Sequence, residues 1–343
     1  MSHILEVDNL VKKYGNFAAV DGVSFTVDEG EVFGLLGPNG AGKTTTISML
    51  TGILDPTDGT ARIGGHDIKT DLAEAKKING LVPQDLALYP TLSARANLQF
   101  FGRIYGLSGK DLKERVEDVL HIVALTDRAD EAVEKYSGGM KRRVNIAAGL
   151  VHQPRLLFLD EPTVGVDPQS RNHIFESVLR LNRERGMSII YTSHYMEEVE
   201  LLCKRVAIVD QGKIIAMDTI QNLVAILGGG VIQIGLDSAG KQLLAELSEL
   251  PAVKKANIAP QVSAAPPAEV EEGEESQEAE EDAPPPSTSG PTIVKIETEN
   301  SRDALVNVIT YLNENDVTLH SMEILESNLE NVFLHLTGKK LRE

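Results

Sequence analysis

Along this chain the spacing of apolar side chains switches between alternation, unbroken runs and a helical period, and each switch predicts an element. Residues 4–11 and 23–27 alternate apolar and polar positions, as two short antiparallel strands would. Residues 32–36, 78–82, 156–160 and 188–193 read as further strands. The unbroken run Leu156-Leu157-Phe158-Leu159 suggests burial on both faces of a parallel sheet. Turn signals at Asp58-Gly59 and Gly64-Gly65 flank the short strand 60–63 and predict a second hairpin. From 91 to about 135 the period becomes helical, first through Leu92, Ala96, Leu98, Phe101, Ile104 and Tyr105. It continues through Leu112, Val116, Val119, Leu120, Val123 and Leu125, a helical insertion within an α/β pattern. Another helix is expected over 144–152.

Beyond residue 223 the order changes. Strand 231–236, helix 241–250 and strand 253–258 are followed, after a gap, by strand 292–298, helix 302–315 and strand 317–325, with helix 329–336 appended. Two βαβ halves in this order predict a small ferredoxin-like α+β domain. The expected division is therefore 1–225, with a helical subdomain at about 88–137, and 226–343 as an accessory domain. The gap at 260–291 is rich in Pro, Glu, Ala and Ser. A stretch so poor in branched and aromatic side chains cannot offset chain entropy by burial, so it is read as a disordered insert.

Composition narrows the class. A chain of 343 residues has room for two domains, and 42% apolar content is ordinary for a globular protein. No window approaches the roughly 20 apolar residues of a membrane span. The nearest, 224–236, is broken by three consecutive glycines and Gln233. A strand pattern starting at His3 leaves no room for a signal peptide. The single cysteine, Cys203, sits in an apolar helical stretch and is expected to be an inert core thiol in a reducing cytosol. The formal net charge of −18 argues against a broad nucleic-acid footprint. Half of that excess comes from nine carboxylates in the insert, so the body is only moderately acidic.

Candidate chemistry gathers at strand ends. After strand 32–36 comes Gly37-Pro38-Asn39-Gly40-Ala41-Gly42-Lys43-Thr44-Thr45, followed by a helical run. The spacing G-x-x-x-x-G-K-T between strand and helix is the phosphate-binding P-loop. Its glycines let main-chain N–H groups wrap a triphosphate beside a helix N-terminus. Lys43 would reach the β- and γ-phosphates, and the Thr44 hydroxyl would take a Mg²⁺ position. Strand 156–160 ends in Asp160-Glu161. Beside a P-loop, Asp160 suits a holder of Mg²⁺, and Glu161 could polarise a water for attack on the γ-phosphate.

Other strand ends carry Gln84 and His194, each readable alone as a polar loop residue or as a ligand contact in the crevice of an open α/β sheet. Tyr14, in the turn Lys12-Lys13-Tyr14-Gly15, is either a structural tyrosine or a ring offered to adenine. Ser137-Gly138-Gly139 opens a helix and offers a second anion-receptive N-terminus, or simply a capped helix start.

Taken together and in this order, these segments resemble the ATPase subunit of an ABC transporter, over residues 1 to about 225. The resemblance implies an ABC-type P-loop NTPase core whose cofactors are ATP and Mg²⁺. It makes Tyr14 the ring that stacks on adenine, Gly37 to Thr45 the Walker A loop, and Gln84 the Q-loop residue that meets metal and nucleotide. Tyr136 to Met140 become the signature, with Ser137, Gly138 and Gly139 facing phosphate, Asp160 the Walker B metal holder, Glu161 the catalytic base, Asp167 the D-loop acid and His194 the switch histidine. Met140 stands where the commonest signature has glutamine, so it is assigned no nucleotide contact. The family geometry implies two chains packed head to tail, each ATP held by one chain's Walker A and the other's signature.

Pro90-Thr91-Leu92, Asn97-Leu98, Phe101 to Leu107 and the ending Asn328 to Gly338 resemble ATPases of ABC-2 type exporters. That implies a separate transmembrane permease, a homodimer and a peripheral position on the cytoplasmic face of the cell membrane, with the permease docking near 84–106. Relatives that act on ribosomes or DNA usually carry two ATPase domains or a long coiled-coil insertion, which this chain lacks. Import or export is not written in the catalytic motifs.

Overall fold

Strands that are apolar on both faces need cover from both sides, and here a second sheet and a set of helices provide it. The computed structural model describes residues 2–227, 229–258, 292–325 and 328–337. It divides into two compact units. The first runs to Leu223 and takes the chain in again from Asn328; the second spans Val224–Ser327.

The first unit begins with β1 (His3–Tyr14), β2 (Phe17–Asp28), β3 (Val32–Leu36), α1 (Lys43–Leu50), β4 (Asp58–Ile63) and β5 (His66–Asp67). There follow α2 (Leu72–Ile78), β6 (Asn79–Val82), α3 (Ala94–Ile104), α4 (Gly109–Ile122), α5 (Gly138–Leu150) and β7 (Leu156–Asp160). Next come α6 (Pro168–Arg185), β8 (Ser188–Ser193), α7 (Met196–Leu202), β9 (Arg205–Asp210), β10 (Lys213–Thr219) and α8 (Ile220–Ala225), whose last two residues already belong to the second unit. β1 and β2 are longer than the alternation suggests. Register shifts between Val7 and Leu10 and between Leu10 and Val11 break the period-two pattern without ending the strand. Asp58 and Gly59, expected as a turn, open β4 instead.

One sheet is antiparallel, in the order β2-β1-β4-β5; the other runs β10-β9-β3-β8-β7-β6. In the second, β9, β3, β8, β7 and β6 are mutually parallel and β10 is an antiparallel edge. Every residue of β3, β7 and β8 is buried. The core joins the two sheets: Leu5, Leu10, Phe25 and Val27 meet Phe33, Leu35, Phe158 and Ile190, with Ile47, Met49 and Leu50 of α1 between. Phe25 stacks on Phe33 with centroids 5.3 Å apart. Because β3, β8, β7 and β6 are parallel neighbours, with Leu36 paired to Ser193, Asp160 to Thr192 and Val82 to Leu159, their carboxyl ends form one row.

The second unit contains β11 (Val231–Leu236), α9 (Lys241–Ser248), β12 (Val253–Ile258), β13 (Thr292–Thr298), α10 (Ser301–Glu314) and β14 (Leu319–Leu325). Its antiparallel sheet runs β12-β13-β11-β14, the strand order of the expected ferredoxin-like domain. Ile232, Ile234, Val294 and Ile296 pack against Leu247, Val308 and Leu312 of the two helices. The insert expected at 260–291 lies outside the described residues.

One boundary needs correction. The expected accessory domain of 226–343 does not hold together, because α11 (Leu329–Thr337) belongs to the first unit. Leu329, Val332 and Phe333 form its buried face, α7 is its neighbour, and the Leu329 N–H donates to the Glu200 carboxylate at 2.6 Å. The physical reason is that an amphipathic helix follows its apolar stripe to whatever surface covers it, and sequence order does not reveal that surface.

Candidate active site

The row of strand ends carries the chemistry. After β3 the chain wraps into the Gly37–Thr45 loop and enters α1 through Gly42, whose φ of 105° excludes a side chain without strain. Gly37 is excluded from substitution by contact instead, since a Cβ there would lie 2.2 Å from the Val209 carbonyl oxygen. Lys43 points back over the loop. Its ammonium donates to the main-chain oxygens of Gly37 at 2.7 Å and Pro38 at 3.1 Å, and pairs with Glu161 Oε1 at 3.0 Å. Lys43 and Glu161 are 4% and 5% exposed, so this pair acts in a low dielectric. Asn39, Gly40 and Thr44 are exposed, Ala41 is buried and Thr45 half-buried in the first turn of α1.

β7 delivers Asp160 and Glu161. Glu161 has φ +46°, a left-handed conformation uncommon for a residue with a side chain. Two ties hold it there: its N–H donates to Thr192 Oγ1 at 2.8 Å, and its carboxylate meets Lys43. Thr192 in turn donates to Asp160 Oδ1 at 2.8 Å. Burial pushes the Asp160 carboxyl above its ordinary value, while hydrogen bonds from Thr192 and Thr44 pull against that rise. Gln84, beyond β6, donates from Nε2 to Glu161 Oε2 at 3.3 Å. His194 Nδ1, beyond β8, lies 3.3 Å from the same oxygen but off the line of a hydrogen bond.

Walker A, Gln84, Asp160, Glu161 and His194 therefore converge. The Ser137–Gly139 segment has different neighbours. Ser137 caps α5 by accepting from Met140 N at 3.2 Å. A Cβ on Gly139 would lie 2.0 Å from Ser170 Oγ and 3.1 Å from Asp167 Oδ2. Asp167 caps α6, accepting from Ser170 N at 2.9 Å, and this holds its carboxyl below the usual value. These residues form a second cluster. Tyr14 ends β1 with its ring 52% exposed and Lys12 Nζ 5.4 Å from the ring centroid.

Sequence reasoning missed Thr192, Glu198, Arg142 and Asn145. Glu198, on α7 and 3% exposed, accepts on Oε2 from Thr163 at 2.9 Å, Tyr191 at 3.0 Å and Ser193 at 2.9 Å. It thereby ties the chain just after Glu161 to the strand end just before His194. Burial and this carboxylate push the Tyr191 hydroxyl well up. The available signal was the cluster Tyr191-Thr192-Ser193, three hydroxyls at the end of an apolar strand, which need buried partners. Cys203 matches expectation: it is buried, and burial pushes its thiol well up.

A phosphate loop with its lysine, a strand-end Asp-Glu pair and a Gln and His beside one carboxylate define a P-loop nucleoside triphosphatase. Comparison with known proteins makes this specific. Residues 20–164 match the ABC transporter family. The chain is 42% identical over 341 residues to the linearmycin resistance ATP-binding protein LnrL of Bacillus subtilis (strain 168), covering 99% of this chain and 100% of that one. It is 36% identical over 339 residues to the daunorubicin resistance ATP-binding protein DrrA2 of Streptomyces coeruleorubidus, covering 98% and 96%.

Among solved structures it resembles cbiO1 of Clostridium perfringens, part of the ABC transporter complex cbiONQ, with TM-score 0.60, 29% identity and coverage of 66% and 92%. It also resembles a dimeric post-hydrolysis ATP-binding cassette bound to ADP and Pi, with TM-score 0.57, 25% identity and coverage of 63% and 98%. The chain belongs to the ATP-binding proteins of ABC transporters.

Proposed function

We propose that this chain is the ATPase subunit of an exporter, working as a homodimer against a separate transmembrane permease on the cytoplasmic face of the cell membrane. The observation that carries the reading is that the two anion-receptive helix starts have different sets of neighbours. Lys43, Gln84, Asp160, Glu161 and His194 make one cluster, and Ser137–Gly139 with Asp167 makes another. One chain thus presents half of each of two sites, and a head-to-tail pair completes both.

Within a completed site, Tyr14 would offer its exposed ring to adenine. The Gly37–Thr45 main chain would bind the phosphates and Lys43 would neutralise their charge. Glu161 would take the proton of a water whose oxygen attacks the γ-phosphorus as the bond to the β-phosphate's bridging oxygen breaks, giving ADP and phosphate. His194 would orient the γ-phosphate, and the partner's Ser137–Gly139 would cap it. The donor set fits Mg²⁺. The Thr44 hydroxyl and the Asp160 carboxylate are both hard oxygen ligands, Thr44 helps to hold the Asp160 carboxyl down, and Gln84 supplies a third oxygen. When bound, the ion would neutralise phosphate charge. Cleavage then removes the charge that held the pair closed, so hydrolysis opens it.

Export is supported by the names of the relatives, which are resistance and Nod factor export proteins. Among the described residues no helix is long and apolar enough to cross a membrane. The test is Glu161→Gln. It should bind ATP and run as a stable dimer in size-exclusion chromatography with Mg·ATP, with turnover reduced at least 100-fold, an order drawn from acid–base catalysis. Normal turnover would remove Glu161 from the role of base.

A further inference from the structure

Arg142 lies in the second turn of α5, yet it is only 5% exposed. Its Nη1 donates to the main-chain oxygen of Gln84 at 2.7 Å and of Pro83 at 3.1 Å. Three residues on, Asn145 donates from Nδ2 to the Pro83 oxygen at 3.2 Å and accepts from Ala87 N–H at 3.2 Å. One helix therefore holds the loop from Pro83 to Ala87 by its main chain. Burial pulls the Arg142 guanidinium below its ordinary pKa, with Asp85 and Asp160 opposing that shift. A cation kept this deep needs its acceptors fixed, because an unpaired buried charge is costly.

The loop's other side is the Gln84 side chain, which reaches Glu161. The helix's other feature is its start, Ser137–Gly139, only a few residues before Arg142. Over that distance an α-helix is rigid, so its N-terminus and Arg142 move as one body.

We propose that Arg142 is a positioning residue that ties the Gln84 loop to the signature helix, so that seating this helix on a partner's nucleotide sets Gln84 against Glu161 in its own chain. This rests on the shared-site reading above. It also makes a directional prediction. The signature serves the partner's nucleotide, but Arg142 serves the Glu161 of its own chain.

The test uses mixed full-length dimers carrying two affinity tags and purified in Mg·ATP. With Arg142→Met and Glu161→Gln in the same chain, opposite an unaltered chain, the surviving acid keeps its own intact loop. Turnover should equal that of a dimer carrying Glu161→Gln alone in one chain. With the two substitutions in opposite chains, the surviving acid has lost its Arg142, and turnover should fall roughly tenfold or more, the loss expected for hydrogen bonds from a buried cation. A merely weakened signature helix would give the reverse asymmetry. Arg142→Lys, which keeps the charge and a donating nitrogen without the guanidinium's reach, should give an intermediate rate in the opposite-chain pair, and it serves if the Met variant does not fold. Equal turnover in the two arrangements, or the lower rate in the same-chain one, overturns the role of Arg142 alone. Failure of the two tags to co-purify overturns the shared-site reading and this inference with it.

Discussion

Thr192→Val isolates the tie that holds the catalytic strand end. Thr192 is fully buried; its hydroxyl donates to Asp160 and accepts from the N–H of Glu161, both at 2.8 Å. Valine fills nearly the same space and provides neither bond. An orphaned buried N–H costs roughly 1–3 kcal/mol, and a lost bond to a charged acceptor roughly 1.5–3 kcal/mol, so a total of about 3 kcal/mol is expected. At a urea dependence of about 3 kcal/mol per M, the unfolding midpoint falls by about 1 M. The chain has no tryptophan, so far-UV circular dichroism is the appropriate probe.

The same substitution makes a separate prediction about pH. Burial already raises the Asp160 carboxyl and the Thr192 hydroxyl partly offsets that rise, so removing the hydroxyl raises it further. The acid limb of the ATPase profile should therefore move to higher pH, and kcat should fall with KM for ATP little changed. Thr192→Ser keeps the hydroxyl and should keep the limb where it is. An unmoved acid limb, together with a midpoint within about 0.3 M of the parent, would refute the reasoning.

Three further outcomes are expected. Arg185 grips Asp118 through bonds of 2.8 and 2.6 Å and holds its carboxyl below the ordinary 3.8. The folded value is the lower one, so this stabilisation is present above about pH 3.8 and disappears as pH falls through the folded value. Both partners are about a third exposed, so Asp118→Asn should cost about 0.5–1 kcal/mol at pH 7 and nothing in strong acid; a pH-independent deficit would contradict this. Ile258 pairs with Val294, so replacing 261–290 by a short turn should leave ATPase activity and the thermal midpoint unchanged, and lost activity would assign the insert a role. Tyr89→Ala and Leu92→Ala, at side chains 47% and 39% exposed, should uncouple transport in reconstituted vesicles while sparing basal hydrolysis; intact transport would move the docking surface elsewhere.

Much of this site could be read from the sequence because its residues sit at element ends, where motif and geometry coincide. Gly37 to Thr45, Asp160, Glu161 and His194 each follow an apolar run, and parallel pairing aligns those runs. What stayed hidden depends on contacts between distant elements. Nothing in the run Lys141-Arg142-Arg143 marks the middle residue as buried; only the packing of α5 against the Pro83–Ala87 loop does. Glu198 looked like one acid among several on a short helix, and only the fold brings three hydroxyls to it. The left-handed backbone of Glu161 has no sequence signal, since nothing about glutamate favours it.

The return of α11 to α7 changes what counts as the minimal enzyme. The polypeptide departs at Leu223 and rejoins at Asn328, so the ferredoxin-like module is spliced into the hydrolase instead of hanging from its tail. Cutting the gene near codon 225 would strip away a cover and lay bare the apolar seat of Leu329, Val332 and Phe333. A usable catalytic fragment would have to bridge the two ends and keep that last helix.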